Sequence, residues 1–250
     1  MATNTRADER RFTRTAPTAD LAPEMDERTR IFLQPIAAPS ILGLFGFAAA
    51  TFMVAAHLAG WYGTESSGIY LFPFAAMFGG LAQFLAGMWA YRARDGVATA
   101  MHGMWGAFWL AYGILNLLAA TKTITLPTGT FTELGYWFVC LAAITAMGAI
   151  AAMFENPGVS LVLWPLAVGS ALIALFYWTG GTGWEHAGGW VLIASSWIAF
   201  YTASAMMMEG AAGRVILPLF KPSKAANTPG ARITRPQEFP EGQPGVRQGQ

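Results

Sequence analysis

The chain offers few side chains capable of chemistry. Between positions 30 and 209 the only Asp, Glu, Lys and Arg residues are Arg30, Glu65, Arg92, Arg94, Asp95, Lys122, Glu133, Glu155, Glu185 and Glu209. Inside the apolar stretches that separate them, the polar groups include Thr51, His57, Gln83, His102, Asn116, Thr145, Ser170, Ser195, Ser196, Tyr201, Thr202 and Ser204. Hydroxyls, amides and imidazoles can hydrogen-bond a small solute. They do not supply the paired acid and base that most intramembrane hydrolases need, so an enzyme is not expected. A carboxylate proton relay or a cation pathway would place an acidic residue inside a span, and none is seen there. A metal centre would have to draw on His57, His102 and His186, which fall at scattered depths, and the single cysteine, Cys140, has no partner for a disulfide or a multi-cysteine site. Neither a metal nor a cofactor is expected. What remains suits a small neutral solute, or an anion solvated by dipoles, with hydrophobic rings as gates. His57, near the outer end of the first span, and His102, near the inner end of the third, could couple a proton to such transport. A lone membrane histidine also serves as a hydrogen bonder between helices.

The elements that carry these groups follow from composition. The 250 residues are 54% hydrophobic and 12% charged, about half the charge of an average soluble domain, and the mean hydropathy is +0.41. A net charge of +1 provides no basic field for nucleic acid. The charges cut the middle of the chain into six uncharged stretches, 31–64, 66–91, 96–121, 134–154, 156–184 and 186–208. Each is long enough for the roughly 20 residues that cross hydrocarbon as a helix. The reading is an all-α integral membrane bundle with spans near 40–61, 68–91, 97–119, 134–154, 159–178 and 187–208. Gly103, Ala107 and Ala111, Ser195, Ala199 and Ala203, and Gly79, Gln83 and Gly87 recur four apart, as close helix packing in lipid requires.

Orientation follows from the basic residues. Arg28 and Arg30, then Arg92 and Arg94, then Arg214, Lys221 and Lys224 fall on one side of six spans, with Lys122 alone on the other. The excess places both termini in the cytoplasm and the protein in the cytoplasmic membrane. Residues 1–35 and 221–250 read as cytoplasmic tails, the first without the apolar core of a cleavable signal peptide and the second rich in Pro, Gly, Gln and Arg. Residues 36–220 form the transmembrane domain.

Specific strings add to this. Ala38-Pro39-Ser40-Ile41-Leu42-Gly43-Leu44 at the first span resembles the Asn-Pro-Ala-Pro-Leu-Gly-Leu signature of the acetate uptake transporter family, the succinate–acetate permeases. Phe78-Gly79-Gly80-Leu81-Ala82-Gln83-Phe84-Leu85-Ala86-Gly87-Met88-Trp89 is similar to its second-span motif, Gly106-Ala107-Phe108-Trp109-Leu110 to its third, and Gly213-Arg214-Val215-Ile216-Leu217-Pro218 to the segment that closes its sixth helix. The matches occur in the family's order and cover about residues 38–219. The resemblance implies a homohexamer with a pore in each protomer, and passage of acetate and, in some members, succinate. It also implies a constriction made by Phe47, Trp105 and Leu166. Thr51, one turn beyond Phe47, and Gln83 are candidate contacts to a carboxylate. Three positions depart from the pattern: Ala38 replaces the Asn, Ile41 the second Pro, and Trp105 a Tyr. Trp is larger than Tyr and only donates a hydrogen bond.

The expected function is transport of acetate and similar short-chain carboxylates, as an anion channel or a proton-coupled symporter. Two alternatives stand beside it: a channel for small neutral solutes such as urea, ammonia or water, and a non-transporting membrane sensor or scaffold working through its charged tails.

Overall fold

The computed structural model describes residues 36–64 and 66–220; the two tails lie outside the described residues. The described part is helical, without strands. Six helices are long and apolar enough to cross a membrane: α1 Pro39–Leu58, α2 Ser67–Ala93, α3 Gly96–Ala120, α4 Thr132–Glu155, α5 Pro157–Thr179 and α6 Thr182–Ala212. The protein is a multi-pass membrane protein.

Local chemistry sets the ends. Pro39 and Pro157 occupy the first turns of α1 and α5, where a missing N–H costs nothing. Asp95 accepts the Ala98 amide at 2.8 Å to begin α3, and Asn156 accepts the Gly158 amide at 3.1 Å to begin α5. Gly180 and Gly213 adopt the left-handed conformation that stops α5 and α6.

Two boundaries differ from the expected spans. The first helix stops at Leu58, leaving Trp61 and Tyr62 in the turn that follows. The last one begins at Thr182 and runs to Ala212, which brings Glu185 and Glu209 inside it. At 1.5 Å per residue, 31 residues extend about 46 Å, more than the roughly 30 Å of hydrocarbon. Both carboxylates therefore sit towards the ends of α6, and Glu185 in its first turn faces the positive end of the helix dipole.

The helices form a closed ring. α1 packs against α2 and α6, α2 against α3, α4 against α5, and α5 against α6; a thinner seam joins α3 to α4. Close approach needs glycine where helices cross. A Cβ on Gly87 of α2 would lie 2.6 Å from the Gly103 amide nitrogen of α3, and one on Gly189 of α6 would lie 2.5 Å from that of Ala59. Ala199 and Ala203 are fully buried. Ala107 and Ala111, grouped with Gly103 by their spacing, instead face outward, and Gly106 is the residue that packs against Phe84 of α2. The α3–α4 seam is filled by large groups: Phe108 and Phe138 meet edge-on at 5.3 Å, and Met101 packs on Gly148.

Candidate functional site: an interrupted axial passage

Two cavities lie inside the ring, each walled by residues from all six helices. One, of about 60 Å³, lies at the end where α1 begins and α6 ends (the tail end); its wall includes Ser40, Phe47, Gln83, His102, Glu155 and Met206. The other, of about 210 Å³, lies at the opposite, far end; its wall includes Thr51, His57, Gly68, Trp109, Phe138 and Glu185. Trp105 and Leu166 wall both. Phe47 stands beside them, its ring 6.4 Å from that of Trp105 and edge-on. The three are 2–3% exposed. The Trp105 indole donates to Thr145 Oγ1 at 2.9 Å across the α3–α4 seam, which holds the ring in place.

Most span hydroxyls are occupied elsewhere. Ser170 donates to the Leu166 carbonyl, Ser195 to Val162, Ser196 to Ile193 and Thr202 to Ile198. The Asn116 amide donates to the Tyr112 carbonyl. The passage is therefore not lined by the whole polar set. Among the described residues, four buried side-chain polar atoms lack a hydrogen-bond partner: Thr51 Oγ1, Gln83 Oε1, His102 Nδ1 and Trp109 Nε1. All four belong to residues that wall the two cavities, Thr51 and Trp109 the far one and Gln83 and His102 the tail one. A buried polar group without a partner costs about 1–3 kcal/mol, and among the described residues that cost falls on side chains along this axis.

Helix geometry places these groups. In α2, Pro73 removes one backbone donor, and the eight residues Ala75–Ala82 that follow form a π-helical segment. Wider turns of this kind re-aim the residues after them, and Gln83 is the first of these. His102 lies against Gly43 of α1, where a Cβ would sit 2.5 Å from the imidazole. His57 is half-buried, and its Nδ1 is 3.0 Å from the Tyr62 carbonyl oxygen. A carbonyl only accepts, so Nδ1 carries the hydrogen and Nε2 is the atom free to serve the far cavity.

The candidate residues thus separate by end. Phe47, Trp105 and Leu166 come together between the cavities; Gln83 and His102 lie on the tail side, Thr51 and His57 on the far side. No group of three or more metal-ligating side chains occurs among the described residues. Sequence reasoning missed Trp109 and Glu185. Trp109 lies one helical turn beyond Trp105, hence on the same face, a spacing that points to it. Glu185 escapes sequence reasoning because a charge reads as a boundary and sets the last span after it, whereas α6 begins at Thr182.

Comparison with known proteins places the chain. The succinate-acetate/proton symporter SatP of Escherichia coli is 28% identical over 189 residues, 74% of this chain and 95% of that protein. The ammonia transport outward protein 2 of Saccharomyces cerevisiae is 28% identical over 172 residues, 67% of this chain and 60% of that protein. The solved structure of the bacterial acetate channel SatP superposes with a TM-score of 0.68 at 23% identity, covering 74% of this chain and 99% of that one; it shares the fold. A family profile matches residues 20–222, and the chain belongs to the GPR1/FUN34/yaaH family.

Proposed function

We propose that the chain carries acetate and similar short-chain carboxylates across the cytoplasmic membrane along this axis. The observation that carries the reading is the coincidence of all four unpartnered buried polar atoms with the two cavities inside the ring. In this reading Phe47, Trp105 and Leu166 form the constriction, which strips water and selects by size. Thr51 and Trp109 donate hydrogen bonds to a carboxylate on the far side, and on the tail side Gln83 meets it through its Nε2–H, since Oε1 only accepts. His57 and His102 are the candidate proton-linked groups, one on each side. Both termini lie in the cytoplasm, since Arg92, Arg94 and Arg214 gather at the tail end while Lys122 stands at the other. Following the family resemblance, the protomers assemble as a homohexamer.

Purified protein in liposomes tests the reading. Radiolabelled acetate is expected to enter faster than into protein-free vesicles. Acceleration by an imposed pH gradient marks symport, and indifference to it marks a channel. Entry no faster than into empty vesicles removes the proposal.

One observation favours a second reading, a channel for small neutral solutes: no Lys or Arg is among the described residues that wall either cavity. Swelling of the same vesicles in urea or ammonium salts, against acetate, separates the two.

A further inference from the structure

The far cavity holds a charge of the wrong sign for an anion. Glu185, half-buried in the first turn of α6, is the one Asp, Glu, Lys or Arg side chain among the described residues of its wall. The groups that act on it are its chain neighbour His186, which also lies against Gly60 at the end of α1, His57 of α1 and Tyr177 of α5; Tyr112 of α3 shares the same cavity wall. Deeper in the same cavity are the unpartnered Thr51 Oγ1 and Trp109 Nε1, on residues only 4% and 5% exposed. These are hydrogen-bond donors suited to a carboxylate. A solute therefore passes a carboxylate first and donors second.

We infer that Glu185 is a specificity-determining residue that admits monocarboxylates and rejects dicarboxylates at the far mouth. The inference rests on the carboxylate-transport reading above and extends it. Repulsion by a fixed carboxylate grows in proportion to solute charge. A dianion therefore meets twice the barrier of acetate before it reaches Thr51 and Trp109. Behind them stand Trp105 and Leu166, which wall both cavities, and Phe47 beside them. Glu185 and the constriction thus act in series, the first by charge and the second by size, and only the first responds to salt.

The test compares radiolabelled acetate and succinate entry from the far side into vesicles holding the full chain. It is run at neutral pH, where both carboxyls of succinate are ionised. The wild-type protein is expected to prefer acetate, and raising salt to about 0.5 M, where charge is screened within a few ångströms, should erode that preference. Glu185→Gln should raise the succinate-to-acetate flux ratio by about fivefold or more and make it insensitive to salt; Glu185→Asp should restore both features. The inference is overturned if the wild-type protein passes succinate as readily as acetate at low salt. It is equally overturned if the preference does not change with salt, or if Glu185→Gln leaves the ratio within about twofold of wild type. The salt series uses the wild-type chain alone, so it decides the question even if Glu185→Gln fails to fold. Absence of any acetate entry into wild-type vesicles would instead bring down the transport reading itself, and this inference with it.

Discussion

The two cavities end on the same side chains but differ several-fold in size. The far one, about 210 Å³, is rich in aromatic rings, with the hydroxyls of Thr51, Tyr112 and Tyr177, the His57 imidazole and the Glu185 carboxylate in its wall. The tail one, about 60 Å³, has a wall that includes Ser40, Gln83, Asp95, His102, Glu155 and Asn156. At roughly 10–15 Å³ per water, the smaller has room for about four or five waters and the larger for several times that number. A solute can stay partly hydrated on the far side but must exchange most of its water for protein groups on the tail side. The asymmetry assigns the two halves different work: admission and sorting on one side, close contact on the other.

The strongest way to break this division is to remove what separates the halves. Trp105→Ala takes away a ring that walls both cavities. Entry of carboxylates bulkier than acetate should rise by about tenfold or more, the equivalent of a barrier lowered by about 1.4 kcal/mol. Stability should fall by about 3–5 kcal/mol, as for other buried aromatic truncations. Unchanged fluxes of both acetate and succinate in folded protein would remove the constriction role from Trp105.

A narrower test sets one polar residue from each side against the other. Gln83→Met should cut acetate flux by about tenfold, because the tail cavity has little water to substitute for the amide. Thr51→Val should cut it by only about threefold, since Trp109 Nε1 and water remain on the far side. Neither should lower the melting temperature, because each removes a buried polar atom that has no partner. Lost flux at unchanged or improved stability separates a solute contact from a packing residue. A lower melting temperature with normal flux would make these residues structural. Equal losses at both positions would remove the asymmetry.

How much of this was legible in the sequence depended on which physical signal was asked to speak. The six spans could be read because a charge inside hydrocarbon is costly, so charge-free stretches mark helices. The same rule misplaced the start of α6, since Glu185 was treated as a boundary although a helix longer than the membrane can carry charge in its first turn. The π-helical segment had no such signal: Ala75–Ala82 reads as ordinary apolar helix. Residue type could not separate Thr51 from Ser170 either. Both are buried hydroxyls, but Ser170 returns its hydrogen bond to Leu166 one turn back, whereas Thr51 has no partner. Rotation about the helix axis decides that, and only neighbouring helices fix the rotation. Phe47, Trp105 and Leu166 came from the family motifs; spacing alone would have left them as ordinary packing.

The smallest expected effect tests how firmly the dividing ring is held. Trp105 Nε1 donates to Thr145 Oγ1 from α3 to α4, across the thinnest seam of the ring. Thr145 is fully buried, so no bulk water reaches the indole N–H if the hydroxyl is lost. Thr145→Val keeps the shape and removes the acceptor, at a cost of about 1–3 kcal/mol in stability. The indole would then turn towards the cavities, where polar company remains. Acetate flux should change by only about two- to threefold, and discrimination against bulkier acids should weaken by a similar factor. Thr145→Ser keeps the acceptor and loses one methyl, so discrimination should return while stability stays about 1 kcal/mol below wild type. If Ser and Val variants discriminate alike, the hydrogen bond does not hold the ring. Packing by Phe47 and Phe108, whose rings meet Trp105 edge-on at 6.4 and 5.4 Å, would then be what keeps the two halves apart.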